Sequence, residues 1–275
     1  MIDCHELLII FILGIVEGLT EFLPVSSAGH MILIGYLLEF NSDRAKIFEV
    51  VVQFGTILSV IVKFWRKLFS VVGIRFNQEI LDKEKNSCLS LWHILLGVLP
   101  IIVLGFLFYN QIKFFFELIY VMNALLVGSL LLLVAEYFAY CSSSRKISIT
   151  ELSYMQAFFI GCFQCFALCP GFSRSGATVS GGLLMGVSRH SSFEFSFFLA
   201  VPVIFGASIL DLYKNISLFT HHDVLLFFVG FCTSFVVGLC SIKYFLQMVK
   251  NISLIPFVVY RFILAGIIYW LVYNP

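Results

Sequence analysis

"EGLTEFLPVSSAGH", residues Glu17 to His30, places two carboxylates, two serines and a histidine inside an apolar region that runs from about 6 to 38. The apolar run downstream of it, "MILIGYLL" from Met31 to Leu38, has eight residues, which as a helix reach only about 12 Å. That is far short of a hydrocarbon core about 30 Å thick. Pro24 ends the first helix, Gly29 allows the backbone to bend, and a new half-helix is expected to begin near Ala28 with Ser27 as its cap. A re-entrant hairpin fits these lengths. Irregular backbone at bilayer depth is tolerated only where protein or a wet cavity surrounds it, so the break marks a cavity.

A second apolar region, about 153 to 188, is cut in the same manner by "PGFSRSGAT", Pro170 to Thr178. "GIVEGLTEFLPVSS" from Gly14 aligns with "GCFQCFALCPGFSRS" from Gly161, matching Gly14 to Gly161, Glu17 to Gln164 and, with one gap, Pro24 to Pro170. Phe48-Glu49 and Phe193-Glu194 then open the span that follows each break. The chain therefore reads as two repeats, about 1 to 140 and about 150 to 275.

Six further stretches are long enough to cross: about 47 to 65, 91 to 109, 118 to 138, 192 to 212, 224 to 246 and 254 to 273. One hairpin and three spans per half give an odd number of crossings, so the halves are expected in opposite orientations. The fold class is an all-α polytopic membrane protein with six transmembrane helices and two re-entrant helix hairpins as inverted-topology repeats. Lys63, Arg66, Lys67, Arg75, Lys83, Lys85, Arg145, Lys146, Arg189, Lys243 and Lys250 fall on one side, against Arg44, Lys46, Lys113 and Lys214 on the other. The richer side is expected to be cytoplasmic. Both termini and the mouth of the first hairpin then face outward, and the second hairpin enters from the cytoplasm.

Composition agrees with a single membrane domain over 1 to 275: 60% of residues are hydrophobic, 12% are charged, and the mean hydropathy is +1.02. A net charge of +1 gives no basic surface for nucleic acid. No removable signal peptide is expected from "MIDCHELLII", which lacks Lys and Arg. The cysteines of "CFQCFALC" read as packing residues rather than zinc ligands, having no second ligand pair nearby.

Glu17 and Glu21 share one helix face, about 5 to 6 Å apart at Cβ. Two carboxylates adjoining in apolar surroundings suit a cation, a metal ion or a shared proton; a helix end at the water interface is the alternative. Ser26, Ser27 and His30 add hydroxyls and an imidazole near a helix start, where unpaired N–H groups favour a phosphate oxygen. In the second break Ser173, Arg174, Ser175 and Thr178 repeat this arrangement with a guanidinium whose planar fork matches phosphate. Arg174 could instead pair Glu17 or Glu21 structurally. Arg261 and Glu136 read as snorkelling or paired structural charges, and His93, His190, His221 and His222 as solvated residues at loop edges.

"EGLTEFLPVSSAGH" and "PGFSRSGATVSGGLLMG" resemble the two signature segments of the undecaprenyl-diphosphate phosphatase, or bacitracin resistance, family. The similarity extends over the whole chain, including "FEVVVQFGTILSV" and "EFSFFLAVP". It implies a phosphatase of the bacterial cytoplasmic (inner) membrane. Such an enzyme converts undecaprenyl diphosphate to the monophosphate carrier of peptidoglycan synthesis, with its site open to the periplasmic or outer side. Family positions fall on Glu17, Glu21, Ser26, Ser27 and His30, and on Ser173, Arg174 and Thr178. The resemblance also implies a divalent cation, Mg2+ or Ca2+, assigned to Glu17 and Glu21. The expected partners are the lipid substrate and the bilayer, and a homodimer is left open. Ser27 is the candidate nucleophile with Glu21 as base, and His30 gives a proton or orients Ser27. Attack by metal-activated water or by His30 itself is an alternative. Broken helices in inverted repeats also suit a transporter or a lipid-phosphate flippase, which would release no phosphate.

Overall fold

Helix breaks follow the polar interruptions. The computed structural model describes residues 4–40, 43–74, 89–142, 146–215, 221–250 and 252–273. Arg75, Lys83, Lys85 and Arg145, and the side chains of Arg44, Lys46, Lys113, His221 and His222, lie outside the described residues. The first region forms α1 (Cys4–Thr20) and the 11-residue α2 (Ser27–Leu37). α3 (Asp43–Val71), α4 (Leu91–Leu107) and α5 (Leu118–Cys141) follow. The second region forms α6 (Tyr154–Gln164), a 3-10 turn over Cys165–Leu168, and the 11-residue α7 (Arg174–Leu184). α8 (Arg189–Asn215), α9 (His221–Val249) and α10 (Ile255–Tyr273) complete the chain. No strand forms among the described residues.

Five helices are long and apolar enough to cross a membrane: Ile47–Val71, Leu118–Cys141, Arg189–Lys214, Asp223–Val249 and Ile255–Tyr273. They coincide with five of the six expected spans. The sixth, expected at about 91 to 109, is the 17-residue α4, whose rise of about 26 Å falls a little short of a full hydrocarbon core. The 11 residues of α2 and of α7 rise only about 16 Å each, so neither crosses alone.

The two broken regions pack reciprocally. α1 lies along α9 in the second half of the chain, and α6 lies along α4 in the first. Both crossings run through glycine: a β-carbon on Gly14 would stand 3.0 Å from the Gly230 carbonyl oxygen, and one on Gly161 would overlap the Gly97 carbonyl. Small residues at these points let backbones touch, which is how apolar helices gain packing energy where lipid removes the hydrophobic drive. Gly161→Val should therefore cost about 1–3 kcal/mol by overpacking. A lower thermal midpoint in detergent would show it, with Gly206→Val, where a β-carbon meets nothing within 4 Å, as the unaffected control.

The largest apolar cluster is built from phenylalanines on both sides of the breaks. Phe22, beside Glu21, meets Phe197 on α8 edge to face at 5.5 Å, and Phe193 meets Phe245 at 4.8 Å. Such pairs fix orientation as well as burying area. Two ion pairs border this core: Arg189 grips Glu136 with two nitrogens, and Lys67 reaches Glu194 at 2.5 Å. Glu136 is thus a paired structural charge, as its place in α5 suggested.

Arg261 and His93 depart from expectation. Arg261 does not snorkel: it is fully buried, and its guanidinium donates to the carbonyls of Pro24 (3.3 Å), Leu125 (3.2 Å), Gly171 (3.2 Å) and Phe172 (2.8 Å). Backbone turned out of its helix at the two breaks leaves carbonyls that a buried cation can satisfy. His93 is buried rather than solvated, accepting from the Ser90 N–H at 3.0 Å and donating to the Leu152 carbonyl at 2.9 Å. It caps α4, a role its position at a loop edge had hidden.

Candidate active site

The two breaks end in the same backbone device. Ser26 precedes α2 with φ 72° and accepts from the Gly29 N–H at 3.2 Å; Ser173 precedes α7 with φ 74° and accepts from the Gly176 N–H at 3.1 Å. The cap of α2 is therefore Ser26, one residue before the expected Ser27. A left-handed serine is uncommon, and at both places the cap bond and tight packing hold it. Ser173 and Ser26 stand 147 positions apart, the same offset as Gly161 and Gly14. The residue after each cap opens its half-helix: Ser27 in one, Arg174 in the other.

These two residues meet at Glu21. Ser27 Oγ donates to Glu21 Oε2 at 2.5 Å, and Arg174 Nη2 donates to Oε1 at 3.0 Å. One carboxylate thus joins a hydroxyl from the first break to a cation from the second. Arg174 is held from behind by the carbonyl of Ser196 at 2.9 Å and its hydroxyl at 3.4 Å, while Arg174 Nε, also buried, has no partner. Thr178 Oγ1 lies 2.6 Å from Ser196 Oγ and 2.9 Å from the Arg174 carbonyl. A further strut crosses between the breaks, as Ser175 Oγ donates to the Leu23 carbonyl at 2.8 Å.

A cavity of about 150 Å³ opens beside this contact. Its wall is formed by Glu21, Ser26, Ser27 and Ala28 from the first break, Ala167, Cys169, Pro170, Gly171, Ser173 and Arg174 from the second, and Gln53 and Ile204 from α3 and α8. That is at least about ten times the roughly 10–15 Å³ that one buried water requires on this measure, room for a small anion with solvent. Of the expected residues, Glu21, Ser26, Ser27, Ser173 and Arg174 line it. Glu17, His30 and Thr178 stand behind the wall. His30 bonds through Nδ1 to the Ser26 carbonyl at 2.7 Å and through Nε2 to the Tyr260 hydroxyl at 2.6 Å.

Sequence reasoning passed over Ser196, Gln53 and Tyr260. Ser196 lies in "EFSFFLAVP" and Gln53 in "FEVVVQFGTILSV", segments read for the Phe-Glu pairs at their starts and for their likeness to a family. A polar residue on an otherwise apolar span was the available signal for both. Tyr260 gave none, since an aromatic in a terminal span ordinarily faces lipid.

Glu17 is fully buried, and neither carboxylate oxygen has a hydrogen-bond partner. It sits one helical turn from Glu21, whose N–H donates to the Glu17 carbonyl at 3.0 Å. An unpartnered carboxylate at such depth requires a proton or a cation. Hard oxygen donors of this kind fit magnesium or calcium. No group of three His, Cys, Asp or Glu suited to a metal comes together among the described residues, so phosphate or water oxygens would complete the shell.

The profile described as bacitracin resistance protein BacA matches residues 10–267, nearly the whole chain and both breaks. The chain belongs to the bacitracin resistance protein BacA family.

Proposed function

We propose that the protein is a membrane phosphatase that hydrolyses undecaprenyl diphosphate to undecaprenyl phosphate and inorganic phosphate. Restoring the monophosphate would recycle the carrier for peptidoglycan synthesis and confer bacitracin resistance. The observation that carries this reading is the contact of Ser27 and Arg174 on the two oxygens of Glu21, at the edge of a cavity between two helix starts. We place the two breaks as re-entrant hairpins of inverted repeats in the bacterial cytoplasmic membrane, with the site open to the outer side. The prenyl tail would leave sideways into lipid.

In this mechanism Ser27 Oγ attacks the terminal phosphorus while its proton passes to Glu21 Oε2. The bond from that phosphorus to the bridging oxygen breaks, and the prenyl monophosphate departs. Glu21 returns that proton to the departing monophosphate; water then attacks the phosphoserine, Glu21 taking its proton and passing it to Ser27 Oγ as the phosphorus–Oγ bond breaks and inorganic phosphate leaves. Arg174, which lines the cavity, would donate to a phosphate oxygen, and the positive end of α7 adds to it. Ser173 helps to seat the phosphate, and Thr178 holds Arg174 through Ser196. A divalent cation held by Glu17 and Glu21 would supply charge neutralisation.

Phosphate release from a C55 or shorter prenyl diphosphate with magnesium tests the reading, using purified full-length protein. A folded protein that releases none would hand the site to a transporter or flippase. Ser27→Ala should lower release by roughly 100-fold or more and abolish any phosphoenzyme caught by rapid quench. Retained turnover in that variant would replace serine attack by water attack.

A further inference from the structure

His30 is buried, and its neighbours determine which of its nitrogens carries the hydrogen. The Ser26 carbonyl, 2.7 Å from Nδ1, can only accept, so Nδ1 carries the hydrogen. In the neutral imidazole Nε2 then holds the lone pair, and the Tyr260 hydroxyl donates into it at 2.6 Å. The two ring planes differ by only 3°. Both nitrogens are occupied, and His30 takes no part in the cavity wall.

The Ser26 carbonyl is also the acceptor for the His30 backbone N–H at 3.2 Å. Because the peptide is planar and trans, fixing that oxygen fixes the N–H of Ser27, which points the opposite way. Ser26 is the left-handed cap of α2, and Ser27 follows it directly. The ring of His30 therefore sets the plane from which Ser27 projects toward Glu21.

We propose that Tyr260 is a positioning residue that acts on the reaction only through His30, locking the imidazole in the Nδ1–H tautomer so that it holds the Ser26–Ser27 peptide. Tyr260 is 43% exposed on α10, while His30 is 6% exposed, so the lock is applied from the outer surface of a helix to a buried ring. Attack by His30 on phosphorus would need this contact broken first. The inference rests on the phosphatase reading given above.

The test is a double-mutant cycle in the full-length protein, read by phosphate release with thermal midpoints as folding controls. Tyr260→Phe is expected to lower kcat about 10-fold with KM within about twofold, the loss of one hydrogen bond acting on orientation. Added to His30→Gln, it should cause no further loss. A Tyr260→Phe variant with wild-type kcat, or losses that multiply in the double variant, would overturn the proposal. Nitrogen chemical shifts of labelled histidine provide a readout independent of turnover: a protonated Nδ1 and an accepting Nε2 support the lock, and the reverse tautomer sinks it. If the wild-type protein releases no phosphate, the phosphatase reading fails while the tautomer still decides the Tyr260 contact.

Discussion

Replacing Arg174 with alanine is expected to lower phosphate release by roughly 1,000-fold or more, in protein that remains folded. Arginines that stabilise charge in phosphoryl transfer are worth factors of about 10³ to 10⁵. Arg174 has a second duty: it orients Glu21 through Oε1 while Ser27 uses Oε2. Alanine would remove the charge facing the phosphate and free the carboxylate that serves Ser27. Arg174→Lys should recover little, since one ammonium cannot reach Glu21 and the two Ser196 oxygens together and still present a donor to substrate. Glu21→Gln should fall nearly as far, because an amide cannot accept the serine proton. Turnover at saturating substrate, with gel filtration to show intact protein, checks all three; near-normal turnover in Arg174→Ala or Glu21→Gln would refute the assignment.

The second large effect is expected at Arg261. Arg261→Met keeps much of the volume and removes all the donors, leaving the Pro24, Gly171 and Phe172 carbonyls at the two breaks without this partner. Each buried acceptor left unsatisfied costs about 1–3 kcal/mol, so the sum is several kcal/mol. The loss falls on the segments that place Glu21, Ser27 and Arg174, so phosphate release should drop by at least about 100-fold. Arg261→Lys should be only a partial remedy, because a single nitrogen replaces two that together reach four carbonyls. Thermal unfolding and phosphate release, measured side by side, decide it: a methionine variant with unchanged midpoint and turnover would show that the carbonyls need no such anchor.

Much of this was legible because breaking a helix in lipid demands particular residues. Pro24, Gly29 and the serines marked the first break, and "PGFSRSGAT" the second, while long apolar runs located five spans, with ends that differ by up to six residues. The cap shifted by one because composition shows that a helix starts, whereas the left-handed φ of Ser26 belongs to the backbone. Arg261 misled for a related reason: its partners are carbonyls far away in the chain, at 24, 125, 171 and 172, and carbonyls carry no letter in a sequence. The meeting of Ser27 and Arg174 on Glu21 was foreseeable as a shared site. That Thr178 would stand behind Ser196, and His30 behind Ser26, depended on packing that no spacing rule predicts.

The matched caps at Ser26 and Ser173 separate two tasks that a catalyst usually has to reconcile. Identical helix starts would grip both ends of a symmetric anion equally and favour neither, which is a poor beginning for cleavage. The asymmetry lies in the side chains around them: a hydroxyl at Ser27 against a guanidinium at Arg174, and at the same offset Glu21 against Leu168 and His30 against Ala177. The two caps keep nearly the same φ although a serine follows one and an arginine the other, so one backbone form presents two different chemistries to the same carboxylate.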